Sequence, residues 1–138
     1  MCVLCKKVAN SESILIEEFK HSVLIVGDHQ YFEGYCQLVL KEHIADLTDL
    51  ANDIQSEFFK ELMISAQAIR QAFSPARLNY SSLGNVVPHI HFHLFPRYQE
   101  ELEEKDKLDP WADAGEFEQF KTSAIELESV RKRVRGAL

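Results

Sequence analysis

At 138 residues, 46% of them hydrophobic, the chain has the size and apolar content of one domain with a real core. A formal net charge of −7 opposes general affinity for nucleic acid or anionic lipid, so neither is expected as a partner. No apolar run approaches the ~18–20 residues of a membrane span, and Met1-Cys2-Val3-Leu4-Cys5-Lys6-Lys7 is no signal peptide, which leads us to expect a cytoplasmic protein.

Taken in chain order, Cys2 and Cys5 come first, as a C-x-x-C pair that is half a zinc site. With Cys36 the total is three, an odd number that does not read as a disulfide framework. Cys36, among Tyr35, Leu38 and Leu40, reads as a small buried hydrophobe. Residues 13–19 and 22–26 are rich in Ile, Leu and Val and flank Lys20-His21, which predicts a hairpin with His21 on its surface turn. A polar turn over 27–34 leads to a third strand, 35–40.

Asn52-Asp53-Ile54-Gln55 matches a capping box with Asn52 as N-cap. Ile54, Phe58, Leu62, Ala66 and Ile69 then recur at helical spacing until Ser74-Pro75 ends the helix. Strands are predicted over 78–83 and 89–95, with Gly84 and Pro88 bracketing the turn between them. Residues 99–118 hold nine acidic side chains against Lys105 and Lys107 and read as a solvated loop. A last helix is expected from near Asp113, paired with Glu116, burying Phe117, Phe120, Ala124, Leu127 and Val134. Its basic end, Arg131 to Arg135, suits the helix macrodipole. The fold class is therefore α+β, an antiparallel sheet of roughly five strands with one long central helix and a C-terminal helix. Residues 1–98 form its core, and 99–138 supply the acidic loop and a helix packed on the same domain.

The most informative segment is His89-Ile90-His91-Phe92-His93-Leu94-Phe95. Side chains alternate across an extended strand, so the three imidazoles share one side and Ile90, Phe92 and Leu94 the other. Such a row can hold a metal, with His43 as an added ligand, or act on a phosphate or carbonyl group. Spacing alone leaves both open.

His89 to Phe95, followed by Pro96-Arg97, resembles the signature of the histidine-triad (HIT) superfamily of nucleotide hydrolases and transferases. Gly34 to His43 resembles that family's Gly-His-x-Leu-Val-x-Pro-Lys-x-His strand, and Asn79 with Gly84-Asn85-Val86-Val87-Pro88 resembles the stretch before the triad. Cys2-x-x-Cys5 is similar to the start of many bacterial members. The resemblance covers about residues 1–98. It implies a HIT-like fold and cleavage of AMP-X or diadenosine polyphosphates at the α-phosphate, through a covalent nucleotidyl intermediate on His91. His93 and backbone N–H groups would bind the phosphate oxygens, with His89 the third member of the catalytic set. Asp28, or His29 beside it, would hold the ribose, and Asn79, Asn85 and Tyr35 would belong to the substrate site. The resemblance does not fix the purine-contacting side chains; Leu4, Phe19 and Leu24 are candidates, and equally ordinary core residues. Some relatives complete a structural zinc site with residues equivalent to Cys2, Cys5, His43 and His89, and the chemistry needs no cofactor.

The family's usual homodimer joins two sheets, with contacts from helix 52–73 and the third strand. Two departures bear on activity. Tyr35 stands where the family has a fourth histidine, and Val86 where it has a hydroxyl donor. They keep open a catalytically weak nucleotide-binding regulatory protein, and the histidine row keeps open a metal-dependent hydrolase. Arg97 reads as structural, and Trp111 as either a packing anchor or an aromatic beside the site.

Overall fold

A computed structural model describes residues 2–104, 108–117 and 119–138. Lys105, Lys107 and Glu118 of the acidic stretch lie outside the described residues. The elements run α1 (Val3–Ala9), β1 (Leu15–Glu18), β2 (Ser22–Val26), β3 (Cys36–Leu40), α2 (Asn52–Phe73), β4 (Arg77–Ser81), β5 (His91–Arg97), α3 (Gln99–Leu102), α4 (Ala114–Phe117) and α5 (Ala124–Gly136). The strands form one antiparallel five-stranded sheet in the order β1-β2-β3-β5-β4.

Alternation along these strands builds two different faces. Leu24 and Val26, Cys36, Leu38 and Leu40, and Phe92 and Leu94 meet Phe58, Leu62, Ala66, Ile69 and Phe73 of α2, with Val130 and Val134 of α5. On the other side Val23, Ile25 and Val39 pack with Leu4 of α1. That side also carries Gln37, paired in register with His93, and Val39, paired with His91. One short helix therefore covers part of this face and leaves the histidines beside it.

Several boundaries differ from the sequence expectations, for local physical reasons. Helix α1 was not anticipated: Cys2 caps it, its Sγ accepting from the Cys5 N–H at 3.2 Å. The N-cap of α2 is Ala51 rather than Asn52, and Gln55 donates to the Leu50 carbonyl at 2.7 Å instead of closing a capping box. Ser74 ends α2 in the left-handed region (φ 48°), and Pro75 cannot continue the helix. The expected last helix is split. Asp113 and Glu116 both accept from the Tyr31 hydroxyl, and α5 starts afresh at Ser123, whose Oγ accepts from the Glu126 N–H at 3.1 Å. Phe120 and Ala124 are consequently exposed rather than core. β3 is paired on both sides, and among the described residues the free edges of the sheet are β1 and β4. Among the described residues, no helix is long and apolar enough to cross a membrane.

One buried carboxylate ties α2 to the β1–β2 hairpin. Glu61 accepts from the Ser22 hydroxyl at 2.6 Å and from the His21 N–H at 3.2 Å, while the half-buried His21 ring pairs with Glu57. Glu61→Ala should therefore destabilise the fold by about 2–3 kcal/mol, because two donors lose their charged acceptor. Urea denaturation would read the change, and a loss within ~0.5 kcal/mol of zero would contradict this role.

Candidate active site

The triad histidines do not act as one row. His89 precedes β5 and its ring is fully buried. Its Nε2–H donates to the Leu40 carbonyl at 2.7 Å, which leaves Nδ1 as a lone-pair nitrogen. That nitrogen lies 3.4 Å from Cys2 Sγ, 3.5 Å from Cys5 Sγ and 3.1 Å from His43 Nδ1. Cys5 Sγ is in turn 3.4 Å from His43 Nδ1, and the two sulfurs are 3.2 Å apart. Four tetrahedral donors at ordinary zinc bond lengths stand about 3.3–3.8 Å from one another, so this set fits the ion. Burial alone would raise the Cys2 thiol, but hydrogen bonds from the Cys5 amide and thiol, His89 and His43 bring it to about 6. The Cys5 thiol is raised, first by its bond to Cys2. A shared proton or cation is what such facing lone pairs demand.

His91 and His93 are arranged otherwise, and neither belongs to that cluster. The Nδ1–H of His91 donates to the carbonyl of His89 at 2.6 Å, so its Nε2 carries the free lone pair. The Nδ1 of His93 lies 2.6 Å from the Tyr35 hydroxyl, which also receives the Gln37 amide at 2.6 Å. Burial, assisted by His91, lowers the His93 imidazole to about 4. Burial also raises the Tyr35 phenol. Gly27 makes room for this phenol, since a Cβ there would stand 2.1 Å from the ring. The three imidazoles thus have three different Nδ1 partners and do not converge as ligands of one metal.

The depressed His93 value has a thermodynamic consequence. The unfolded chain takes up this proton as pH falls below 6.5, whereas the folded chain resists it down to about 4. Stability is then complete above pH 6.5 and declines as pH falls toward 4, by roughly 3 kcal/mol in all. Urea midpoints of the protein and of His93→Asn, compared at pH 4.5 and 7, should converge at the acid end. Parallel pH dependences in the two proteins would refute the assignment.

His91 and His93 open into a cleft of about 460 Å³, a volume suited to a small molecule. Its lining includes Val3, Leu4 and Lys7 of α1, Asp28, Gln37, the loop Leu83 to Val87, and Trp111. Asp28 meets Lys7 Nζ at 2.7 Å. His29 instead stacks on Phe117, and burial lowers its pKa. Asn85 lies on the cleft, next to a Val86 that is 94% exposed. Trp111 stands edge-on to His93, its Nε1–H bound to Ser81 at 2.8 Å, so it is both anchored and beside the site. Tyr35, expected in the substrate site, does not line the cleft; it is buried behind His93, whose Nδ1 its hydroxyl meets. Asn79 does not line the cleft; it accepts from the buried Arg97 at 2.9 Å. Of the purine candidates, Leu4 lines the cleft, while Phe19 and Leu24 lie with the core on the opposite face. Lys7 and Gln37 were not singled out from the sequence. The signal for Gln37 was there, as a polar side chain inside an apolar strand.

These geometries sit on a chain whose residues 8–100 match the HIT domain family model. The chain belongs to the HIT family. This HIT protein is 28% identical over 103 residues to Protein hit of Bacillus subtilis, covering 70% of this chain and 71% of the relative. Its fold is similar to a histidine triad protein from Sinorhizobium meliloti, with a TM-score of 0.78, 18% identity, and coverage of 91% and 89% of the two chains. It is also similar to a zinc-bound histidine triad family protein from Mycobacterium smegmatis, with a TM-score of 0.70, 22% identity, and coverage of 99% and 91%. The HIT expectation and the α+β fold both hold.

Proposed function

We propose that this HIT protein is a nucleotide hydrolase that cleaves AMP-X compounds or diadenosine polyphosphates at the α-phosphate. The observation that carries the reading is the His91 ring, which lines the cleft with Nδ1–H tied to its own strand and Nε2 free. In the first step the Nε2 lone pair forms a bond to phosphorus, and the P–X bond breaks with its electron pair on X. His93, neutral and carrying its proton on Nε2, donates to a non-bridging oxygen as charge builds there. Water then attacks phosphorus, the P–N bond breaks, and its electron pair returns to His91, with one proton released to solvent.

Asp28 offers a carboxylate for the ribose hydroxyls, oriented by Lys7, and Asn85 an amide for phosphate oxygens. Leu4, Val3 and Trp111 provide apolar surface for an adenine base. Cys2, Cys5, His43 and His89 would hold a structural zinc, a reading supported by their donor spacing and by the zinc-bound relative of the same fold. Such an ion would pin α1 to the triad strand, and the steps above are carried by His91 and His93.

The test is incubation with a panel of AMP conjugates, an acid quench, and mass spectrometry. A nucleotidyl adduct on the peptide containing His91, together with released AMP, is expected. A panel that binds but gives neither AMP nor adduct would replace hydrolysis with a purely regulatory role.

A further inference from the structure

We propose that Gln37 and Tyr35 fix His93 as a neutral hydrogen-bond donor, and so restrict this protein to substrates whose leaving group departs without a proton, the acid anhydrides of nucleotides. The inference rests on the nucleotidyl transfer proposed above and names its substrate class.

Gln37 is a buried polar residue on the central strand β3, directly opposite His93 in register. Its amide N–H donates to the Tyr35 oxygen, so the Tyr35 proton is directed to His93 Nδ1 and the His93 proton resides on Nε2. The chain ends on a neutral amide. Among the described residues no carboxylate bonds to the Gln37 end of this chain to stabilise an imidazolium, and the stacked rings of Tyr35 and Phe95 enclose the inner side of His93. Gly27 preserves the close approach that seats Tyr35.

Among the described residues, the titratable groups lining the cleft are Lys7, Asp28, His91 and His93. His91 is the nucleophile, His93 is committed as a donor to phosphate, and the Lys7 ammonium is held by Asp28. None is placed to protonate a departing atom. When P–X breaks, a polyphosphate or carboxylate oxygen leaves as a stable anion and needs no acid. An amine nitrogen must gain a proton to leave as a neutral amine, and with no acid placed beside it that proton has to come from solvent, so phosphoramidates should react slowly.

The closing experiment uses the full protein with AMP esters of substituted phenols, diadenosine tetraphosphate, and an alkylamine phosphoramidate of AMP. Without a general acid, kcat/KM should fall roughly tenfold for every one to two pKa units of the leaving phenol, and the phosphoramidate should be slower than the anhydride by about 10²-fold or more. Tyr35→His, which offers an imidazole in place of the phenol, should narrow that gap at least about tenfold. Nitrogen-15 chemical shifts of His93 should show the Nε2–H tautomer at pH 7, independently of turnover and of whether the variant folds. A flat leaving-group dependence, or a His93 proton on Nδ1, would overturn the inference while leaving nucleotidyl transfer intact. Absence of turnover across every conjugate, anhydrides included, would overturn both.

Discussion

Replacing His91 by Asn should abolish turnover of AMP conjugates, by on the order of 10⁴-fold or more, in a protein that still folds. The side-chain amide of Asn can still donate to the His89 carbonyl, which His91 now engages at 2.6 Å. The β5 strand and the cleft wall therefore keep their support. What disappears is Nε2, the free lone pair that the proposed reaction uses as its nucleophile. His93 cannot take over, because its Nδ1 faces Tyr35 and its Nε2 carries the proton. Activity against diadenosine tetraphosphate, with thermal melting as the folding control, reads both halves of this prediction. A variant that melts like the parent yet keeps more than about a hundredth of its activity would eliminate His91 as the nucleophile.

The second large effect concerns the Cys2–Cys5–His43–His89 cluster. The protein should purify with one zinc ion per chain, and stripping it with a strong chelator should lower the melting temperature by about 10 °C or more. Without the ion, four donor atoms within 4.8 Å of one another face each other with unshared lone pairs. The helix they anchor carries Leu4, Val3 and Lys7 into the cleft. His89 also links the two sites: its ring belongs to the cluster and its carbonyl orients His91. Cys5→Ser should consequently lose the metal and stability together, and lower kcat for every nucleotide substrate alike. Elemental analysis and calorimetry decide it. A metal-free protein with the melting point of the zinc-supplemented one would remove the structural role.

The periodic elements were legible in the residues themselves. Helix α2 follows from Ile54, Phe58, Leu62, Ala66 and Ile69, and the two-sided strand β5 from the alternation of histidine with Phe92 and Leu94. Such patterns lie within a few residues of chain, where backbone geometry alone sets which side chains share a face. Caps were less legible: α2 starts at Ala51 with no side-chain cap hydrogen bond, and Asp113 accepts from the distant Tyr31 hydroxyl while Ser123 caps α5.

What the three histidines do was decided by tertiary structure. His89, His91 and His93 look alike in the sequence, yet each Nδ1 meets a different partner: the sulfurs of α1, the backbone of its own strand, and Tyr35 of the loop before β3. Cys2 reaches His89 across 87 positions and Lys7 reaches Asp28 across 21, contacts that exist only once the sheet has set its register. The residue types and their alternation thus determined that an imidazole would face a site. Only the packing of distant segments determined which imidazole was freed, which was restrained and which was set beside two thiols, because hydrogen-bond partners are chosen in space rather than along the chain.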